Sequence, residues 1–94
     1  MKPSPLSQSE VVSRLSSLDF WKLDKGAIVR TFGFANFRDA MAFVNKVAEL
    51  AEVAGHHPDI DIRYNKVKFA LVTHDSGGLT ANDFDLAAKI NRAA

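Results

Sequence analysis

The sequence predicts an α+β domain in which three helices pack on one face of a four-stranded antiparallel sheet, in the chain order αββαββα. Two observations predict this class. Apolar residues recur at helical spacing in three segments, and between these segments lie two pairs of short stretches with strand-like character. Each pair is joined by a short turn and is expected to form a hairpin. Hairpins and helices that alternate in this way can bury one face of an antiparallel sheet.

The N-terminal part divides into an arm and the start of the domain. Residues 1–6 contain Pro3 and Pro5 and are expected to form a flexible arm, whereas residues 7–94 are expected to form a single domain. Ser7 and Glu10 have the spacing of a capping box. A short amphipathic helix is therefore predicted from about residue 8 to residue 18.

The first hairpin and the longest helix follow. Trp21 and Leu23 belong to one predicted strand, Asp24-Lys25-Gly26 to a turn, and Ile28 to Phe34 to the next strand. Asn36 is a good helix N-cap, and no glycine or proline interrupts residues 37–54 before Gly55. This helix is apolar on more than one face, so we expect it to pack on the sheet with one side and on a partner subunit with the other.

The second hairpin is defined by alternation with a period of two residues. Apolar residues alternate with polar ones in two successive stretches, and Asn65-Lys66 lies between them at the length of a two-residue loop. The inward-facing set is predicted to be Ile60, Ile62, Tyr64, Val67, Phe69, Leu71 and Thr73. Thr80 and Asp83 then have the spacing of a cap that opens the final helix.

The hairpin register predicts where the histidines lie. With an Asn65-Lys66 loop, Tyr64 opposes Val67, and continuing the register places His57 opposite His74. Directly opposed residues have Cβ atoms roughly 4.5–5.5 Å apart on the same face, here the face away from the helices. His56 lies in the connection between helix and strand, and Glu52 precedes it by one helical turn.

Three clustered imidazoles beside a carboxylate suit proton transfer near neutral pH, since one ring can donate a proton while another accepts one. Two other interpretations stay open. Three histidines could hold zinc, although the adjacent His56 and His57 are awkward to aim at one ion. Alternatively, the three histidines have purely structural roles. Taken on its own, Glu52 is most simply a solvated helix residue, and Asp83 is most simply a helix cap.

The composition excludes several classes of function. Twelve Lys and Arg balance eleven Asp and Glu, the net charge is +1, and no basic stripe is present, so nucleic acid is not an expected partner. No cysteine is available for disulfides or thiolate metal sites. The N-terminal residues lack the apolar stretch of a secretory signal, and no segment approaches the roughly 20 apolar residues that span a bilayer. A cytoplasmic location is expected.

These residues together resemble the pterin-4a-carbinolamine dehydratase family. The family pattern has an acidic or similar residue, three intervening positions, His-His-Pro, an aromatic residue after five or six positions, a histidine after nine more intervening positions, and later an aspartate. The chain meets each element at the expected spacing, with Glu52, His56-His57-Pro58, Tyr64, His74 and Asp83. Further similarity extends over nearly the whole chain after the arm.

The resemblance implies dehydration of a 4a-hydroxytetrahydropterin to quinonoid dihydropterin and water, a step that recycles the cofactor of aromatic amino acid hydroxylases. His56, His57 and His74 would be the catalytic acids and bases. His56 and His74 would protonate the departing hydroxyl, and His57 would accept the ring proton. The implied substrate-binding residues are Glu52, Gly55, Pro58, Thr73, Asp75 and Asp83.

The resemblance also bears on cofactors and partners. It implies no metal or organic cofactor, because the pterin is the substrate, and it implies a homodimer or homotetramer with a functional link to an aromatic amino acid hydroxylase. Some family members carry an aspartate where this chain has Gly55 and a basic residue where it has Asn82, so side-chain contacts from those positions are missing. The alternative function is a non-catalytic regulatory or dimerisation module that binds a protein partner.

Overall fold

A computed structural model describes residues 3–94 and confirms the predicted class. Three α-helices and four strands occur in this part of the chain, in the order αββαββα. The elements are α1 (Gln8–Ser16), β1 (Lys22–Asp24), β2 (Ala27–Gly33), α2 (Phe37–Ala54), β3 (Asp59–Arg63), β4 (Lys66–Leu71), a 3-10 turn (His74–Ser76) and α3 (Ala81–Ala93). The strands form one antiparallel sheet in the order β1-β2-β4-β3. No helix in the described residues is both long enough and apolar enough to cross a membrane.

The core lies between one face of the sheet and the helices. The central strands β2 and β4 contribute Ile28, Val67, Phe69 and Leu71, all fully buried. The helices cover them with fully or nearly fully buried side chains, namely Val11 from α1, Val47 and Ala51 from α2, and Leu86 and Ile90 from α3. The end of α2 and the start of α3 both lie near the end of β4, where the candidate site is found.

The helix ends follow the predicted caps. Ser7 and Glu10 form the capping box of α1, although α1 ends at Ser16, two residues before the predicted end. The backbone N–H of Asp39 donates to the Asn36 side chain at 2.8 Å, and α2 has the predicted bounds. Gly55 ends α2 in the left-handed conformation with φ of 64°, which a glycine adopts without the steric cost of a Cβ atom.

The predicted loop of the second hairpin is wrong by one residue. The turn consists of Tyr64 and Asn65, so Arg63 opposes Lys66 and Ile62 opposes Val67. Asn65 is held by Phe34, the residue that directly follows β2. Its side chain donates to the Phe34 carbonyl at 2.8 Å, and its own carbonyl accepts from the Phe34 N–H at 2.9 Å. This contact between distant residues fixes the turn, and Tyr64 takes a positive φ of 52° to allow it.

The change of register has a limited effect on the faces and a large one on the histidines. It moves each pairing by two residues, so the inward face of β4 stays as predicted. The predicted burial on the β3 side is wrong. Ile60 and Ile62 are each 37% exposed because β3 is an edge strand, and Tyr64 is 67% exposed because it lies in the turn.

The pairing of His57 with His74 is wrong, however, because the β3–β4 ladder ends at Asp59 and Ala70. Pro58 has no N–H to continue it. Neither histidine belongs to a strand.

The arm can be described from Pro3 onward. The Leu6 N–H donates to the Leu79 carbonyl at 2.8 Å, and the Ser76 hydroxyl donates to the Pro3 carbonyl. The arm thus lies against the loop that follows His74. Flexibility of residues 1–6 stays a prediction, and residues 1 and 2 lie outside the described part of the chain.

Candidate functional site

The three histidines meet where β3 and β4 stop pairing. His56 and His57 directly follow the Gly55 cap of α2, and His74 opens the 3-10 turn after β4. All three line an open hollow of about 250 Å³. Gly55, Thr73 and Asp75 also contribute to its walls. The predicted convergence of the imidazoles is thus present, but loops at the end of the sheet produce it rather than a strand register.

His56 is held by a buried carboxylate. Its Nε2 lies 2.5 Å from Oδ1 of Asp83, and its side chain is 13% exposed, whereas that of Asp83 is 0% exposed. Nδ1 of His56 has no hydrogen-bond partner among the described residues. Every fully buried side-chain nitrogen in that part of the chain does have a partner. Nδ1 is therefore accessible to solvent, and it is the ring nitrogen that can exchange a proton with a ligand.

His57 is held by a second, exposed carboxylate. Its Nε2 lies 2.5 Å from Oε2 of Glu52, on the last turn of α2. The two side chains are 62% and 72% exposed, so the pair adds little to stability and serves mainly to orient the ring. The family resemblance implies a substrate-binding role for Glu52, and the structure places its carboxylate on His57. Nδ1 again remains for a ligand.

Asp83 belongs to a buried network as well as to the site. Its Oδ2 accepts from the Thr80 N–H and from the Thr73 hydroxyl, each at 2.9 Å, and the Thr73 and Thr80 hydroxyl oxygens are 2.8 Å apart. Thr80 and Asp83 form the capping box of α3, as the spacing predicted. The contact of Asp83 with His56 was not predicted from the cap pattern alone.

The remaining predicted site residues lie close by with fewer contacts. His74 and Asp75 are exposed at the hollow, and Pro58 is half-buried between His57 and the start of β3. Thr73 is buried, and its backbone N–H donates to the Gly78 carbonyl at 3.2 Å. Direct substrate contacts by these residues stay a prediction.

A metal centre finds no geometric support in this region. Within residues 3–94, no three histidine, aspartate or glutamate side chains are arranged to hold one ion. Each Nε2 of the adjacent histidines faces a different carboxylate, so the two rings do not converge on a common point through those atoms.

A larger hollow of about 520 Å³ lies beside the first hairpin, with Phe20, Lys22, Arg30 and Lys68 in its walls. Burial lowers the pKa of Arg30, while nearby Asp19 acts in the opposite direction. This hollow contains no histidine and no pair of groups matched for proton transfer. We therefore place the candidate site at the smaller hollow, because acid and base groups converge there.

Comparison with known sequences gives a consistent family match. The family profile described as pterin 4 alpha carbinolamine dehydratase matches residues 4–93. A protein of Acidobacterium capsulatum, provisionally named a pterin-4-alpha-carbinolamine dehydratase, is 65% identical over 90% of this chain and 92% of its own length. A protein of Chloroflexus aurantiacus with the same provisional name is 59% identical over 92% of each chain.

Two solved structures share the fold. A protein from Brucella melitensis described as a transcriptional coactivator/pterin dehydratase superposes with a TM-score of 0.92 and 36% identity, covering 97% of this chain and 99% of the other. A pterin dehydratase-like protein identified as a RuBisCO assembly factor in the alpha-carboxysome superposes with a TM-score of 0.66 and 25% identity, covering 79% and 88%. Proteins that share this fold are therefore named for different classes of function.

Proposed function

Because the chain belongs to the pterin 4 alpha carbinolamine dehydratase family, we propose that it catalyses the dehydration of a 4a-hydroxytetrahydropterin to quinonoid dihydropterin and water. The observation that carries the proposal is the pairing of two adjacent imidazoles with separate carboxylates at one hollow. The proposed role is recycling of a tetrahydropterin cofactor. The pterin is the substrate, and the proposed reaction requires no metal or organic cofactor.

The reaction needs an acid and a base on the same substrate. The bond between C4a and the hydroxyl oxygen breaks as that oxygen receives a proton and leaves as water. A ring nitrogen loses its proton to a base, and the electrons of that N–H bond form the new double bond. An imidazole can serve either purpose, and positioned acid or base groups typically contribute 10²–10⁴-fold in rate.

We assign the acid role to His56 and His74 and the base role to His57. His56 and His57 each have Nε2 bound to a carboxylate, so the exchangeable proton is carried at Nδ1. Asp83 and Glu52 keep the two rings from rotating and stabilise positive charge that develops on them during proton transfer. His56 acts as the acid when both of its ring nitrogens carry a proton, and it then donates from Nδ1 while Nε2 keeps its hydrogen bond to Asp83.

The size and lining of the hollow support a flat bicyclic ligand. Its volume of about 250 Å³ is below the roughly 300 Å³ at which pockets begin to enclose drug-sized molecules. We infer that the pterin ring enters while its side chain stays in solvent. Gly55 has no side chain there, which leaves room for the ring next to His56. Asp75 offers an exposed carboxylate to the donor groups of a pterin.

A stopped-flow measurement tests this function. The decay of a 4a-hydroxytetrahydropterin is followed with and without the purified protein, in buffer containing a metal chelator. We expect the protein to accelerate the decay, and an Asn45→Ala variant to do so equally, because Asn45 is exposed on α2 and does not line the hollow. A decay at the spontaneous rate with the folded protein would exclude the proposed activity.

The second candidate is a non-catalytic module that acts through a protein partner. This candidate is supported by the names of two relatives with this fold, one a transcriptional coactivator/pterin dehydratase and the other an assembly factor. It predicts no acceleration in the same assay and no effect of histidine substitutions. A functional link of this chain to an aromatic amino acid hydroxylase belongs to the catalytic proposal alone.

We also propose that the protein is a homodimer or homotetramer. Phe37 at the start of α2 is 50% exposed and Val53 near its end is 84% exposed, and the edge strand β3 leaves Ile60 and Ile62 each 37% exposed. A second copy could cover these apolar side chains. Light scattering at micromolar concentration is expected to give a mass of at least two chains, and a monomer mass would contradict this.

A further inference from the structure

We propose that Thr73 and Thr80 are positioning residues, whose hydroxyls form a directed hydrogen-bond chain that fixes the tautomer of His56 through Asp83. The inference rests on the proposed function only in treating His56 as a reacting group. It assigns Thr73 a role different from the substrate contact that the family resemblance implies. Neither hydroxyl needs to touch the substrate.

The direction of the chain follows from counting hydrogens. A threonine hydroxyl has one hydrogen to donate, and an ionised carboxylate can only accept. The single hydrogen of Thr73 must therefore go to Oδ2 of Asp83, 2.9 Å away. The contact of 2.8 Å between the two hydroxyls then has Thr80 as donor and Thr73 as acceptor. The Thr80 oxygen in turn accepts from the Asn82 N–H at 3.2 Å.

The direction of this chain determines which oxygen of Asp83 accepts a hydrogen bond from His56. Oδ2 already accepts two hydrogen bonds, from the Thr73 hydroxyl and from the Thr80 N–H. Oδ1 is the remaining acceptor, and it lies 2.5 Å from Nε2 of His56. Because an acceptor requires a donor opposite it, Nε2 carries a proton and Nδ1 is the exchangeable position. Asp83 and Thr80 are 0% exposed and Thr73 is 8% exposed, so water does not compete for these groups.

The burial pattern indicates that the hydroxyls have a use beyond packing. Thr73 continues the inward-facing series of β4 after Leu71, where an apolar residue of the same shape would fill the space. A buried hydroxyl costs free energy unless it is hydrogen-bonded. Here the Thr80 hydroxyl donates to Thr73, and the Thr73 hydroxyl donates to the carboxylate that holds His56. The cap of α3 and the orientation of the imidazole are thus one network.

The test combines nitrogen NMR of the His56 ring with steady-state kinetics of three variants. Thr73→Val removes the donor with nearly the same shape, Thr73→Ser keeps it, and Thr31→Val is a matched control on the exposed face of β2. In the parent protein at a pH where the ring is neutral, we expect an Nε2–H tautomer with an unprotonated Nδ1. In Thr73→Val, Oδ2 of Asp83 loses one of its two donors, so the carboxylate is held less firmly opposite Nε2 and we expect a mixture of tautomers.

The expected kinetic effect of Thr73→Val is a fall in kcat of about 10-fold, the lower end of what is lost when a group that orients a histidine is removed in metal sites. KM should change little, because Thr73 is not expected to bind the substrate. Thr73→Ser should restore both kcat and the single tautomer, and Thr31→Val should match the parent in both. Loss of kcat without rescue by serine would indicate a merely structural role and overturn the proposal.

The NMR result separates failure of this inference from failure of the proposed function. An active protein whose His56 is the Nδ1–H tautomer would overturn the hydrogen-bond chain and leave the dehydratase proposal standing. An inactive protein with the Nε2–H tautomer, lost in Thr73→Val, would support the chain and contradict the dehydratase. If Thr73→Val does not fold, Thr73→Ala, which also removes the donor, replaces it in both measurements.

Discussion

Replacement of His57 by alanine is expected to lower kcat for 4a-hydroxytetrahydropterin dehydration by about 100-fold or more, as is typical when a positioned acid or base is lost. His57 is largely exposed and is hydrogen-bonded to Glu52, which is also exposed, so its removal leaves this partner in contact with solvent. The thermal unfolding temperature should therefore stay within a few degrees of the parent value. Steady-state kinetics and circular dichroism on the same sample measure both quantities.

A pair of glutamate variants provides the matched control for this prediction. Glu52→Gln keeps the size of the side chain but removes the charge 2.5 Å from His57, and kcat should fall by a smaller factor than in His57→Ala. Glu49→Gln makes the same change nearly one turn earlier on α2, at an exposed position outside the hollow, and should have no effect. Equal activities of the two glutamine variants would contradict the orienting role of Glu52.

Replacement of Phe69 by alanine should be the most destabilising single change in the core, at about 3–5 kcal/mol in the free energy of unfolding. Phe69 is 0% exposed at the centre of β4, and its ring packs edge-on against Phe32 at 5.8 Å and Phe43 at 5.9 Å between centroids. Truncation removes both aromatic contacts and leaves a cavity between the sheet and α2. Urea denaturation monitored by circular dichroism gives the value.

Phe37→Ala is the matched control for the core variant. Phe37 is 50% exposed at the first turn of α2, so the same change of side chain should cost well under half as much. Similar losses in the two variants would show that the difference in burial between β4 and the start of α2 does not govern stability. Phe37→Ala should also retain full dehydratase activity, since this position is remote from the hollow.

Local sequence patterns predicted most of the fold because the signals were short-range. The capping boxes at Ser7 and Thr80 and the left-handed Gly55 each involve residues within a few positions of one another. The period-two pattern of β4 predicted the buried face for the same reason. A shift of register by two residues cannot change which face a residue occupies, so the buried face of β4 was predicted correctly although the loop was not.

The loop itself could not be predicted from the hairpin sequence. Asn65 suits several turn positions, and the choice is made by its two hydrogen bonds to Phe34, 31 residues earlier. Tyr64 adopts a left-handed backbone conformation, which is sterically unfavourable for a residue with its side chain. A contact between distant segments therefore overrides the local preference, and with it the predicted pairing of His57 with His74 is lost.

The carboxylate partners of the histidines were only partly visible in the sequence. Glu52 is close to the histidines along the chain and was expected to lie beside the imidazoles, and the bend at Gly55 brings it to His57. The contact of His56 with Asp83 spans 27 positions and requires α3 to return beside β4. One signal did exist: the alternation of β4 continues to Thr73, and a hydroxyl on the apolar face requires a buried polar partner.

The central claim is that the adjacent imidazoles perform the dehydration, and a His56→Ala/His57→Ala double variant tests it most directly. The decay of a 4a-hydroxytetrahydropterin is followed by stopped flow with the parent protein, with the double variant and without protein. We predict that the parent accelerates the decay and that the folded double variant leaves it at or near the spontaneous rate. Equal acceleration by the parent and the double variant would contradict the account.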